Sequence, residues 1–132
     1  MLSNAAGTSL YRLQKENRLL NAAAFGRVFK KASRSRDKWF TVLCTRSDLD
    51  IARLGMAISK KNCRLATDRN RIKRVVRESF RQHQTDLQGL DVVVMNQVAA
   101  GQASNKELFA SIARHWQDCT RARNDNDTQE KG

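Results

Sequence analysis

The run TDRNRIKRVVRESFRQHQ, residues 67–84, decides how the chain is to be read. Ile72, Val75, Val76 and Phe80 recur at the three- and four-residue steps of an amphipathic helix. At about 100° per residue, Asn70, Lys73, Arg74, Arg77 and Arg81 fall within an arc of roughly 100° on the opposite side. Thr67 or Asp68 offers a cap, so a helix is expected from Arg69 to about Gln84. One side docks on a core and the other presents a row of cations about one turn apart, suited to successive phosphates. Arg69 and Arg71 flank the row at the N-terminal turn, where the positive end of the helix assists.

Outward from this helix the pattern changes period. Asp91–Val98 (DVVVMNQV) is a nearly continuous apolar run, expected as a strand buried on both faces in the middle of a sheet. Ser104 and Glu107 form a capping box, after which Leu108, Ile112, Ala113, Trp116 and Cys119 mark one face of a last helix. Upstream, Trp39–Thr45 and Arg53–Ser59 read as two antiparallel strands joined across the polar turn Ser47–Asp50. Asn21 can cap a first helix, Ala22 to about Ala32, with Phe25, Val28 and Phe29 on one face. The expected order is α-β-β-α-β-α. Residues 1–17 mix Asn, Gly, Ser and charges without period and 121–132 are polar throughout, which leaves one domain, 18–120, between two flexible tails.

The 132 residues hold 25 Lys and Arg against 13 Asp and Glu, a formal net charge of +12, which calls for a polyanionic partner. Arg27–Lys38 carries six bases and one acid, and Lys60–Arg81 nine bases and two acids. Those two segments account for the whole net charge, so binding is local rather than a general coating of anionic surfaces. Cys44, Cys63 and Cys119 form no CxxC pair and have no His at ligand spacing, which argues for reduced structural thiols without a metal. His83 and His115 have no nucleophile or carboxylate at a suggestive spacing and read as structural. The longest strongly apolar run, Val92–Met95, is too short to span a membrane, and no signal peptide opens the chain, so the cytoplasm is expected. With no Gly-rich phosphate loop, nucleotide hydrolysis has no foothold. These features fit a ribosomal-RNA-binding protein or RNA chaperone. A DNA-binding regulator fits less well, because no helix-turn-helix pair is recognisable.

The residues themselves narrow this. Lys60, Lys61 and Asn62, followed by Arg69, Asn70, Arg71, Ile72, Lys73 and Arg74, resemble the signature of the bacterial ribonuclease P protein family. The resemblance runs from about Leu20 to Trp116 and takes in Phe25, Phe29, Arg53, Gly55 and the Val92–Val94 strand. It implies an α+β two-layer sandwich with a small mixed sheet, like the RNA-binding domain of some ribosomal proteins. The strand-helix-strand crossover of that fold is left-handed, against the general rule. It further implies the protein subunit of a ribonucleoprotein endonuclease that removes the 5′ leader of precursor tRNA. The RNA subunit would hold magnesium and perform the hydrolysis; the protein would carry no cofactor, no catalytic side chain and no obligate protein partner. Carried over residue by residue, Lys60, Lys61, Arg69, Asn70, Arg71, Lys73, Arg74, Arg77 and Arg81 would bind RNA. Phe25, Phe29, Phe40, Leu43 and Ala57 would line the cleft for the leader. Leu43 stands where some members carry a tyrosine, which leaves Trp39 or Phe40 to supply a ring.

Overall fold

In a computed structural model of the chain, residues 32–47 and 49–131 are described, with side chains as far as Asn124. The elements are β1 (Ser33–Arg36), β2 (Phe40–Arg46), β3 (Arg53–Ala57), α1 (Ala66–Gln82), β4 (Leu90–Asn96), a 3-10 turn (Val98–Gln102) and α2 (Asn105–Lys131). The first expected helix, with Phe25 and Phe29, lies outside the described residues, as does the N-terminal tail.

The four strands form one mixed sheet in the order β1-β2-β4-β3. The uninterrupted apolar run of β4 explains its central place, since Val92, Val93 and Val94 are all fully buried and only a covered strand can hide both of its sides. β4 pairs antiparallel with β2, through Val42↔Val94 and Cys44↔Val92, and parallel with β3, through Leu54↔Val92 and Met56↔Val94. β2 and β3 therefore run antiparallel as expected, but they share no ladder with each other. β4 inserts between them, where both of its backbone edges are paired, and β3, α1 and β4 form a strand-helix-strand unit.

Both described helices cover one side of the sheet. Phe40, Val42 and Cys44 of β2, Leu54 of β3, and Val92 and Val94 of β4 pack with Ile72, Val76 and Phe80 of α1 and with Leu108, Ile112, Trp116 and Cys119 of α2. Phe80 and Trp116 meet edge to face at 6.0 Å, and the Trp116 indole donates to the Ser79 hydroxyl at 2.9 Å, so the aromatic's one polar atom is satisfied where it is buried.

Other boundaries also moved. α1 starts at Ala66, with Leu65 extended at the cap and no side-chain cap bond, so neither Thr67 nor Asp68 caps it; Asp68 instead lies in the first turn, 3.9 Å from Arg71. The capping box of α2 is present in both directions, Ser104 N–H to Glu107 at 2.9 Å and Glu107 N–H to the Ser104 hydroxyl at 3.1 Å. α2 runs on to Lys131 through the expected irregular tail, and Arg123 anchors that extension to the carbonyls of Asp86 and Gln88 at 3.0 and 2.7 Å. Gly89 sits at φ +81°, a conformation costly for any side chain, and swings the chain into β4. β1 was not anticipated: its SRSR sequence has no apolar residue, although its alternation has the period of a strand.

Candidate nucleic-acid interface

Because Ile72, Val76 and Phe80 are fully buried, the opposite side of α1 must face solvent. Asn70, Arg74 and Arg77 are exposed there, and Lys73 and Arg81 are half-buried at its margins. Successive cations lie about one helical turn, roughly 5.4 Å, apart. Arg81 is paired with Glu78, which also accepts from Gln82, so the C-terminal end of the row is partly neutralised.

Two residues predicted to bind RNA are engaged inside the protein. Arg69 donates to the carbonyls of Cys63 and Arg64 at 2.9 and 2.8 Å and ties the loop before α1 to its first turn. Arg71 donates to the carbonyls of Ala103 and Gly101 and to the Asn105 side chain, at 2.9, 3.1 and 2.9 Å, and clamps the start of α2 against α1. Both remain half-exposed, but their guanidinium groups position the interface first.

Lys60 and Lys61 are exposed on a loop locked to the end of β4. The Asn96 side chain, 3% exposed, accepts from the Ser59 N–H at 2.6 Å and donates to the Ser59 carbonyl at 3.3 Å. Asn62 donates to the Asn96 carbonyl at 2.9 Å. Asn96 was not singled out from the sequence; a polar residue closing the apolar run Val92–Met95 was the available signal.

The far side of the sheet, opposite the helices, carries the alternate residues. Leu43 pairs with Val93, and Ala57 with Met95, so all four point to this side. Leu43 is 3% exposed and packs with Val93, Ala32 and Met95, which makes it the floor of this side rather than a free platform. Ala57 is exposed at the β3 margin. Phe40 is a correction: odd and even residues of β2 face opposite ways, and Phe40 points into the helix layer, fully buried against the His115 ring at 6.3 Å. It cannot supply the missing tyrosine. Trp39 is half-buried against the helix-side core, with the Lys38 ammonium 5.1 Å from its ring centroid. Phe25 and Phe29 lie outside the described residues.

His115, read from sequence as lacking partners, is the hub of a polar cluster gathered from distant segments. Its Nδ1 lies 2.7 Å from the Ser35 hydroxyl and its Nε2 3.2 Å from Asp37. Asp37 accepts from the Ser111 hydroxyl at 2.5 Å and from the N–H groups of Trp39 and Phe40, each at 2.9 Å. Burial works against the Asp37 charge, but the Ser111 hydroxyl, those N–H groups and His115 together hold its carboxyl below the ordinary value. Among the described residues no group of three His, Cys, Asp or Glu side chains could hold a metal ion. No described helix is long and apolar enough to cross a membrane.

A family model described as Ribonuclease P matches residues 13–120. The chain is 43% identical to the ribonuclease P protein component of Methylococcus capsulatus over 84% of its own length and 87% of that protein. It is 38% identical to the component from Vibrio cholerae, with 86% and 96% covered. Among solved structures, the RNase P protein of Staphylococcus aureus superposes with a TM-score of 0.71 at 28% identity, covering 83% of this chain and 93% of that one.

Proposed function

Since this chain belongs to the ribonuclease P protein family, whose role is tRNA processing together with an RNA subunit, we propose that α1 holds that RNA while the far side of the sheet receives the 5′ leader of precursor tRNA. Membership makes the chain an RNA-binding component of an endoribonuclease complex, with ribonuclease P RNA as its partner. Asn70, Lys73, Arg74 and Arg77 make the phosphate contacts, with Lys60 and Lys61 extending them from the β3 end and Arg81 closing the row. Arg69 and Arg71 hold the loop and α2 in place and offer their free edges to the same RNA. Ala57 and the floor made by Leu43 serve the leader, and Phe25 and Phe29, outside the described residues, are assigned to the same ligand. Hydrolysis and the magnesium it uses belong to the RNA subunit, and the complex works in the cytoplasm. Residues 18–120 carry the RNA-binding domain, and α2 continues past its end.

The observation that carries the reading is the two-sided character of α1: a fully buried apolar side fixes the helix, and the exposed cations of the other side fall at a repeat suited to a phosphate backbone. The test is reconstitution of the full chain with its RNA subunit, followed by affinities for precursor and mature tRNA with and without protein. The protein is expected to raise precursor affinity selectively. An equal rise for both RNAs overturns the leader assignment, and recovery of ribosomal RNA alone with the tagged protein overturns the assignment of α1.

A further inference from the structure

The second basic segment of the sequence is taken up by α1 and its loop, but the first, Arg27–Lys38, is not. Its described end is β1. Register pairs Ser33 with Cys44 and Ser35 with Val42, both helix-facing positions, and Arg34 with Leu43 and Arg36 with Thr41 on the far side. The serines therefore turn inward, where Ser35 meets His115 and donates to Asp118 at 2.7 Å. Arg34 and Arg36 turn outward and are exposed. β1 is an edge strand, with β2 as its neighbour in the sheet.

The acids of this edge do little to cancel those charges. Asp37 is occupied by Ser111, two N–H groups and His115, with Arg114 3.5 Å away. Asp118 accepts from Ser35 and lies 3.5 Å from Arg121. Arg114 and Arg121 are themselves 61% and 71% exposed, so both keep surface for a further anion. On a strand, residues two apart on one side are about 6.8 Å from each other, close to the phosphate repeat of an extended nucleic-acid strand. An extended single strand laid along β1 meets Arg34 and Arg36 in succession.

We propose that the β1 edge, through Arg34 and Arg36, is a second RNA grip that holds the upstream part of a long 5′ leader after it has crossed the far side of the sheet. This rests on the leader reading given above. The grip reads phosphate rather than base, so it adds affinity once a leader is long enough to reach β1, and without regard to sequence. The competing role for cations on an edge strand is protection against edge-to-edge pairing between copies of the chain.

The test uses the full chain reconstituted with its RNA subunit, and precursors with a short leader and a long one. Affinities are measured across a salt series for wild type, Arg34→Ala/Arg36→Ala and Arg34→Lys/Arg36→Lys. Wild type is expected to favour the long leader. The alanine pair is expected to lose that preference and to lower the long-leader salt slope by roughly 1.4, at about 0.7 per single-strand phosphate contact. Short-leader affinity and binding of the RNA subunit stay unchanged, and the lysine pair keeps the slope. An unchanged long-leader slope, an equal loss for both leaders, or a loss centred on the RNA subunit overturns the grip. New turbidity with unchanged affinity does the same and assigns the arginines to edge protection. A wild-type complex that fails to separate precursor from mature tRNA marks failure of the underlying leader reading, a different result from any of these.

Discussion

Truncation of Phe40 tests whether this ring belongs to the core or to the RNA. It is fully buried beneath α2 and stands edge to face on His115. Removing such a ring from a core costs about 3 to 5 kcal/mol, from lost transfer energy and the cavity left behind. The aromatic contact is worth about 0.5 to 1.5 kcal/mol beyond its area, so the upper half of that range is expected for Phe40→Ala. For a domain of this size the thermal midpoint should fall by ten degrees or more, on the order of several degrees per kcal/mol. Phe40→Leu keeps most of the volume and should lose only about 1 to 2 kcal/mol. Midpoints are read by circular dichroism on the free protein, and the precursor-to-mature affinity ratio on the reconstituted complex, well below the midpoint. Both variants should leave that ratio unchanged. An unchanged midpoint with a collapsed ratio would refute the assignment of Phe40 to the helix layer.

Three further outcomes follow from the geometry. Ser79→Ala leaves the Trp116 indole N–H, in a side chain 1% exposed, without its acceptor, and should cost about 1 to 3 kcal/mol in denaturant unfolding, whereas Ser79→Thr should retain the bond. Arg74→Ala and Arg77→Ala should each reduce the log-log salt slope of RNA-subunit binding by roughly 0.7 to 0.9 without moving the midpoint; unchanged slopes would leave α1 an ordinary solvated helix. Asp37 and Glu107 both titrate below their ordinary values in the folded chain, Glu107 because the Ser104 N–H and hydroxyl bond its carboxylate. Each therefore adds stability that is complete above its unfolded pKa and is lost as pH falls through its folded one. Asp37→Asn and Glu107→Gln should flatten the acid limb of the stability profile, and a limb identical to wild type would exclude them as its source.

What was legible in the sequence follows from what periodicity can carry. The apolar side of α1, the capping box of α2 and the central place of β4 were all recoverable, because each is written as residue types at fixed short spacings. The pairing of β4 with both β2 and β3 was not, since local pattern says how buried a strand is and nothing about which neighbours bury it. β1 was missed because its inward residues are serines, and Ser35 finds its partners about 80 positions away on α2. The same distance hid the setting of His115. The family resemblance named Arg69, Arg71, Arg74 and Arg77 together but could not separate Arg74 and Arg77, which are exposed, from Arg69 and Arg71, which brace the loop and helix around them.

The insertion of β4 between β2 and β3 also sets an order of events during synthesis. β2 and β3 emerge early and in succession, yet share no ladder; each waits for residues 90–96 before its inner edge is paired. In that interval the nascent chain exposes strand edges of high β-propensity, and the hairpin suggested by their sequence is an available wrong pairing. α1 lies between and forms from local contacts, so it should be the first stable element and should carry β4 to the gap. The slow step is then closure of the sheet around a late central strand, a non-local event whose rate follows topology more than stability. A short lag between synthesis and RNA-binding competence is built into this order, and it ends only when β4 has docked.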